Sequence, residues 1–419
     1  MIIRDVFPTR VRSGYFNKDL PAIKAGPEAD GFAYLGPPRT PGFSAIVQPG
    51  EGISVMLVLE DGSVGFGDCV DVILAGLAGR DPLFRADQHL GVIGGAVRDL
   101  LVGRDARRFR PLADAVEGFR HEGRLLHAAV RYGVSQALLH AAALANRVTM
   151  AEVAATEYGT SLPILPLPVL ASCLTHDYLQ IDRMIMKRAE LLPHSSFHIA
   201  ERDLGADGGK FLAYAEYLAR RVRTLGGESY RPTIHLDVYG TIGELFAMDL
   251  DAVVDYLART KAAVGELNLL IETPVLCASK AAQIEAFQTM RRKLRAKGVA
   301  VRLIADEWCN TLEDIREFAD ADAVDLAQVK TPDLGGIGNS IEAVLYCRNR
   351  GVGSYLGGSG NETEQSARVT AEIGLASGAD FILSKPGFGG DEGLMIVSNA
   401  MQRALALAAR RKAMPSAAP

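Results

Sequence analysis

Three acidic residues, Asp237, Glu272 and Asp306, each close a short apolar run, and Lys330 closes the next one. The intervals are 35, 34 and 24 residues. Carboxylates are hard oxygen donors, and a set of them without cysteine or a histidine pair favours Mg²⁺, which binds through few protein carboxylates and keeps sites for water or substrate. A divalent cation can grip a substrate carboxylate and draw off the charge that develops when the neighbouring carbon loses a proton. Lys330 would be the base, provided that burial and a nearby cation bring its pKa toward neutrality. Gln328 shares its strand face by the period of two. One Asp at a strand end is more often a helix cap or turn residue than a ligand. Three at nearly equal spacing, with a lysine next in series, point instead to metal-assisted proton abstraction.

One strand, one helix and their loops occupy about this interval, so successive runs should be neighbouring parallel strands with their polar ends at one rim. The four runs span 232–240, 267–274, 301–308 and 323–330, apolar until the C-terminal end, as strands buried on both faces should be. Helical segments at 251–264 and 280–297 fall between them. Two further runs follow, 353–359 and 380–386, and two precede, 166–173 and 195–200, making eight. Eight βα units between 165 and 385 predict a TIM-type barrel with its chemistry at the strand C-termini. A doubly wound sheet would carry a Gly-rich first βα turn, and no G-x-G-x-x-G lies between a strand and a helix.

The segment before residue 160 differs. Residues 53–68 (ISVMLVLEDGSVGFGD) alternate around Asp61 and Gly62, a hairpin signal, and 124–147 read as a long amphipathic helix. The expected organisation is an α+β domain over 1–160, the barrel over 161–390, and a C-terminal helix and tail over 391–419, with 414–419 loose. A chain of 419 residues suits two domains, and a net charge of −5 without a basic stripe excludes a nucleic-acid footprint. The N-terminus lacks a signal-peptide run, and prolines at 163, 166 and 168 interrupt the one long uncharged stretch, so no membrane association and a cytoplasmic location are expected. Five scattered cysteines, none in C-x-x-C, read as small buried hydrophobes.

The segments HLDVYGTIGELF (235–246), IETP (271–274), ADEWCNTLEDI (305–315), QVKTPDLGGIGN (328–339) and KPGFGGDEGLMIV (385–397) resemble methylaspartate ammonia-lyases of the enolase superfamily. Weaker similarity, including DGFAYLG (30–36) and GRDPLF (79–84), runs along nearly the whole chain. The superfamily pairs a Lys or His base with Mg²⁺. The resemblance implies an N-terminal capping domain over a modified TIM barrel, with Asp237, Glu272 and Asp306 as Mg²⁺ ligands. It implies Lys330 as the base that takes the C3 proton of an aspartate-like amino diacid, ammonia then leaving from C2. It also implies His194 as the acid or base on the opposite face, Gln328 against the metal-bound carboxylate, and a homodimer. Taken alone, a histidine after Leu-Pro near a strand start is more often a cap or surface residue, and His235 is more often core than ligand.

Four substrate-contacting positions depart from the family pattern. Ile73 stands for a glutamine in D-C-A-A-V-Q-Y-S-G, and Ser172 for the glutamine of Q-S-G-D-D. The family's G-G-T-C-N-E-T becomes GGSGNET, with Ser359 keeping a hydroxyl and Gly360 losing a side chain. Both glutamines grip the amino end of the family's substrate, so their loss implies a rebuilt amine half beside a retained proton-abstracting half. Three functions are compatible: a carbon–nitrogen lyase on 3-methylaspartate or a related amino diacid; a superfamily dehydratase or racemase on another carboxylate; or a barrel that binds metal and ligand without turnover.

Overall fold

Eight short strands close into one barrel in chain order: Val169–Ser172, Leu191–Ser196, Thr233–Asp237, Leu269–Glu272, Val301–Ala305, Leu326–Val329, Gly353–Leu356 and Phe381–Leu383. Every neighbouring pair is parallel, and the eighth strand pairs with the first. The computed structural model describes residues 1–77, 79–385, 387 and 389–414. Pro386 and Phe388 of the KPGFGG segment, and all of the expected tail except Met414, lie outside these residues.

Alternate residues along the strands serve different layers. Leu269 and Ile271 face the helical shell, whereas Leu170, Leu191, Leu270, Ile304, Leu326, Tyr355, Phe381 and Leu383 form a separate apolar cluster inside the barrel. The helices Leu250–Val264, Lys280–Ala296, Leu312–Asp320 and Ile337–Asn349 form part of the outer ring. Sequence fixes where some of them start: Thr311 and Thr363 each make a capping box at the head of a rim-exiting helix.

The second strand departs from expectation. It begins at Leu191 rather than 195, so His194 lies within it rather than near its start. Pro193 gives no ladder N–H, and the pairing skips at this point and accommodates it as an irregularity.

The N-terminal sheet is antiparallel, with Val47–Leu59 between Ile3–Lys18 and Val64–Cys69. Its hairpin turns at Asp61 and Gly62, the glycine in the left-handed region at φ 83°. Helix Ala128–Asn146 lies against this sheet, held in part by Gln136 Nε2 donating to the Asp68 carbonyl at 3.0 Å. It starts later than 124 because Arg124 and Leu125 pair with Arg120 and His121 as a small hairpin.

Candidate active site

The polar rim is built one strand at a time. Asp237 and Glu272 are the last residues of the third and fourth strands and are direct partners in the ladder. Asp306 and Lys330 follow the last residues of the fifth and sixth strands. All four are buried, although each carries an ionisable group. Chain geometry just beyond them is unusual: Tyr239, Thr273 and Trp308 hold positive φ angles of 46°, 44° and 69°. A non-glycine residue there costs about 1 kcal/mol, a cost that clusters where function fixes the backbone.

Each rim group has specific partners. Lys330 Nζ lies 2.7 Å from Asp306 Oδ2. Glu272 accepts from Tyr355 Oη at 2.6 Å and from Gln328 Nε2, which brings Gln328 to the rim. His235 Nε2 approaches Glu272 Oε2 to 2.9 Å without hydrogen-bond alignment. His194 stacks on His235 and has its Nε2 buried without a hydrogen-bond partner, 3.9 Å from Asp237 Oδ2. Ser196 Oγ donates to the same Asp237 oxygen at 3.4 Å, while Asp237 Oδ1 is buried and unpartnered.

Burial governs the electrostatics, and the crowding of like charges reinforces it. Burial, reinforced by the Glu272, Glu307 and Asp306 charges, pushes Asp237 well above the carboxylate range. Burial and the Asp306 charge push Glu272 up to about 7. Burial also holds His194 down at about 4, so its imidazole is neutral at pH 7. At Lys330 burial lowers the pKa, but Asp306, helped by Asp333 and Glu307, outweighs burial and Arg80, and the balance of these protein groups lies above the ordinary lysine value.

Could these residues hold a metal ion? The ring nitrogens of His194 and His235 and a Glu272 oxygen lie within 4.8 Å of one another, a group able to bind a divalent ion. Among the described residues no other such group is gathered so tightly. The three expected carboxylates are therefore neighbours at one rim without a single tight cluster: Asp306 turns toward Lys330, and Glu272 toward Gln328 and Tyr355. The donor chemistry still fits a hard cation. Asp237 keeps a buried oxygen with no partner, and the mutual repulsion of the acids is what a cation relieves.

The other expected site residues lie along the barrel mouth. Ser172 ends the first strand and donates to the His194 carbonyl at 3.3 Å. Ser359 donates to the Asp71 carbonyl at 2.9 Å, so its hydroxyl ties the seventh-strand loop to the N-terminal domain. Gly360 is explained by Ile73: a Cβ added to the glycine would sit 2.8 Å from Ile73 Cδ1 and 3.1 Å from Tyr15. The two departures from the family pattern thus occupy one another's space. Asp71, two residues before Ile73, receives Asn17 Nδ2 at 3.2 Å, Phe84 N at 3.0 Å and Asn361 Nδ2 at 3.1 Å, and burial lifts it to about 7.

Sequence reasoning missed three groups. Glu307 is buried with an unpartnered Oε2, and burial and the Asp306 charge raise it to about 7. Arg80 reaches the rim from the N-terminal domain and binds Asp333 through Nε at 2.8 Å, both side chains nearly enclosed. Asp333, in the TPDLGG turn after Lys330, is the third. Their only signal was a charged residue within a segment already prized for its neighbours.

Family comparison decides what this rim belongs to. Residues 1–159 match the methylaspartate ammonia-lyase N-terminus model and residues 161–410 the C-terminus model. The chain belongs to the methylaspartate ammonia-lyase family. It is 46% identical to methylaspartate ammonia-lyase 1 of Carboxydothermus hydrogenoformans, across 98% of each chain. The crystal structure of β-methylaspartase from Clostridium tetanomorphum, a Mg complex, superposes with TM-score 0.92 at 44% identity, covering 98% of this chain and 100% of that one. The Citrobacter amalonaticus enzyme containing (2S,3S)-3-methylaspartic acid superposes with TM-score 0.93 at 42% identity, covering 98% and 100%. As a member of the ammonia-lyase family, this chain is an enzyme of the lyase type with an enolase-like capped barrel.

Proposed function

We propose that this enzyme eliminates ammonia from 3-methylaspartate, or a close amino diacid, with Mg²⁺ as its metal. The carrying observation is the four-strand rim on which Asp237, Glu272, Asp306 and Lys330 sit at successive strand ends. Asp237, Glu272 and Asp306 would hold the ion, which when bound supplies Lewis-acid stabilisation of charge on the substrate carboxylate. Lys330 takes the proton from the carbon beside that carboxylate. Its ammonium must first lose a proton, and the Asp306 charge that now opposes this is one of the charges an ion at the rim offsets.

Gln328 fixes the Glu272 carboxylate and faces the carboxylate end of the substrate. His194, neutral and with a free buried nitrogen, supplies the acid or base on the other face. Ser172, Ser359, Gly360 and Ile73 shape the remaining wall, and Ile73 offers an apolar surface where the family pattern has an amide. The expected assembly is a homodimer in the cytoplasm, a setting that suits five free cysteines. No helix among the described residues is long and apolar enough to cross a membrane.

The test is incubation of the full chain with Mg²⁺ and a panel of 3-substituted aspartates, following ammonia release and solvent deuterium entering beside the carboxylate. Ammonia release from 3-methylaspartate is the expected result. Exchange without ammonia from any member would move the chain to the dehydratase or racemase reading, which the apolar Ile73 favours. Absence of both would contradict the proposed substrate class.

A further inference from the structure

Behind the seventh-strand loop lies a buried ion pair that the proton-transfer scheme does not use. Lys385, after the eighth strand, places Nζ 3.0 Å from Glu362 Oε2 and 2.8 Å from the Gly357 carbonyl. Both side chains are almost wholly enclosed, at 1% and 0% exposure. The other oxygen of Glu362 accepts from Tyr132 Oη at 2.7 Å and Thr331 Oγ1 at 3.3 Å, and Oε2 also accepts from Ser359 N at 3.0 Å. Four segments therefore meet on one carboxylate: the N-terminal helix that carries Tyr132, the residue after Lys330, the Ser359 loop and the eighth-strand exit. Gly358 makes room for the pair, since a Cβ there would sit 1.9 Å from Glu362 Oε2 and 2.7 Å from Lys385 Nζ.

Stability alone does not explain this arrangement. An enclosed ion pair is often matched or exceeded in stability by apolar residues of similar volume, because desolvation offsets the attraction. Its hydrogen bonds, however, fix directions that apolar packing would leave loose.

We propose that Glu362, paired with Lys385 and anchored by Tyr132, is a positioning residue for the reaction. It holds Thr331, and so the backbone of Lys330, in register with the loop that presents Ser359. This inference rests on the roles given above to Lys330 and Ser359. Misplacing reacting groups by about 1 Å can cost up to about a hundredfold in rate.

The experiment compares Lys385→Met, the double variant Glu362→Gln with Lys385→Met, and Tyr132→Phe, all in the full chain. Lys385→Met strands a buried carboxylate and should lower Tm; the double variant should recover most of that loss. The inference expects kcat for ammonia release in the double variant to stay at least about tenfold below wild type, with KM changed less than about threefold. Tyr132→Phe should show the same split more weakly at near-native Tm. If kcat returns with Tm in the double variant, the network is purely structural and the inference fails. Amide hydrogen exchange over 357–361 and at 331 gives a readout independent of turnover: faster exchange at preserved Tm is expected, and native protection in the double variant would overturn the proposal. Inactivity of the wild type itself would strike at the proposed function and leave the exchange result to judge the network.

Discussion

Two rings of inward-facing residues on the same strands have opposite characters. The lower ring, including Leu270, Ile304 and Leu326, is a dry plug. One pleat later the same strands carry Glu272, Asp306 and Gln328, a rim of acids and donors in which Glu272 is pushed up to about 7, beside Asp237 with its unpartnered buried oxygen. The plug keeps the barrel closed and excludes water from below. The rim, resting on it, tolerates charge crowding that would otherwise be resolved by solvent. Stability should therefore be concentrated in one ring and chemistry in the other.

Breaking the rim should give the largest functional loss. Lys330→Ala is expected to lower kcat for ammonia release by about 10³-fold per folded molecule and to abolish deuterium exchange from one face. Exchange that persists from both faces would remove the lysine from its role. Breaking the plug should do the reverse: Leu326→Ala should cost about 3 kcal/mol in denaturant unfolding, while activity per folded molecule changes little. An equal loss of kcat there would mean that the rings are not separable.

Much of this contrast was legible in the chain. The even spacing of Asp237, Glu272 and Asp306 exposed the repeat, because a βα unit has a nearly fixed length, and the polar end of each apolar run marked the rim. Neighbours just past the strands were not legible. Glu307 follows Asp306 after the strand has ended at Ala305, so the period-two rule no longer says where it points. Arg80 and Asp71 arrive from the capping domain, and nothing local in their segments encodes a partner some 250 to 290 residues away, such as Asp333 or Asn361. The second strand starts four residues before the expected 195, and Pro193, a residue that cannot donate to a ladder, lies inside it. Which acid turns toward Lys330 is likewise a matter of tertiary contact that its own segment does not encode.

Gly360→Cys should destabilise by about 2 kcal/mol through overpacking against Ile73, and Ile73→Ala in the same chain should recover most of it, measured as a double-mutant cycle. Additive losses would deny the steric coupling.

Glu372 separates buried acidity from function, since it lies on helix Glu364–Ser377 and accepts from Ala151 N at 3.0 Å. Burial raises its pKa from 4.5 to about 7. The fold thus favours the protonated form, and its contribution is fully present below pH 4.5 and lost as pH rises through about 7. Glu372→Gln should leave kcat unchanged and stabilise by about 1 kcal/mol at pH 8 with no gain at pH 4. A constant difference across that range would contradict the assignment.

On the function proposed here the carboxylates, rather than the tighter histidine group, hold the cation. Calorimetric titration of Mg²⁺ into wild type and into the double variant Asp237→Asn with Asp306→Asn addresses it directly, because that variant leaves His194, His235 and Glu272 intact. One Mg²⁺ per wild-type chain and no measurable binding to the variant is the result expected here; native binding by the variant would contradict it.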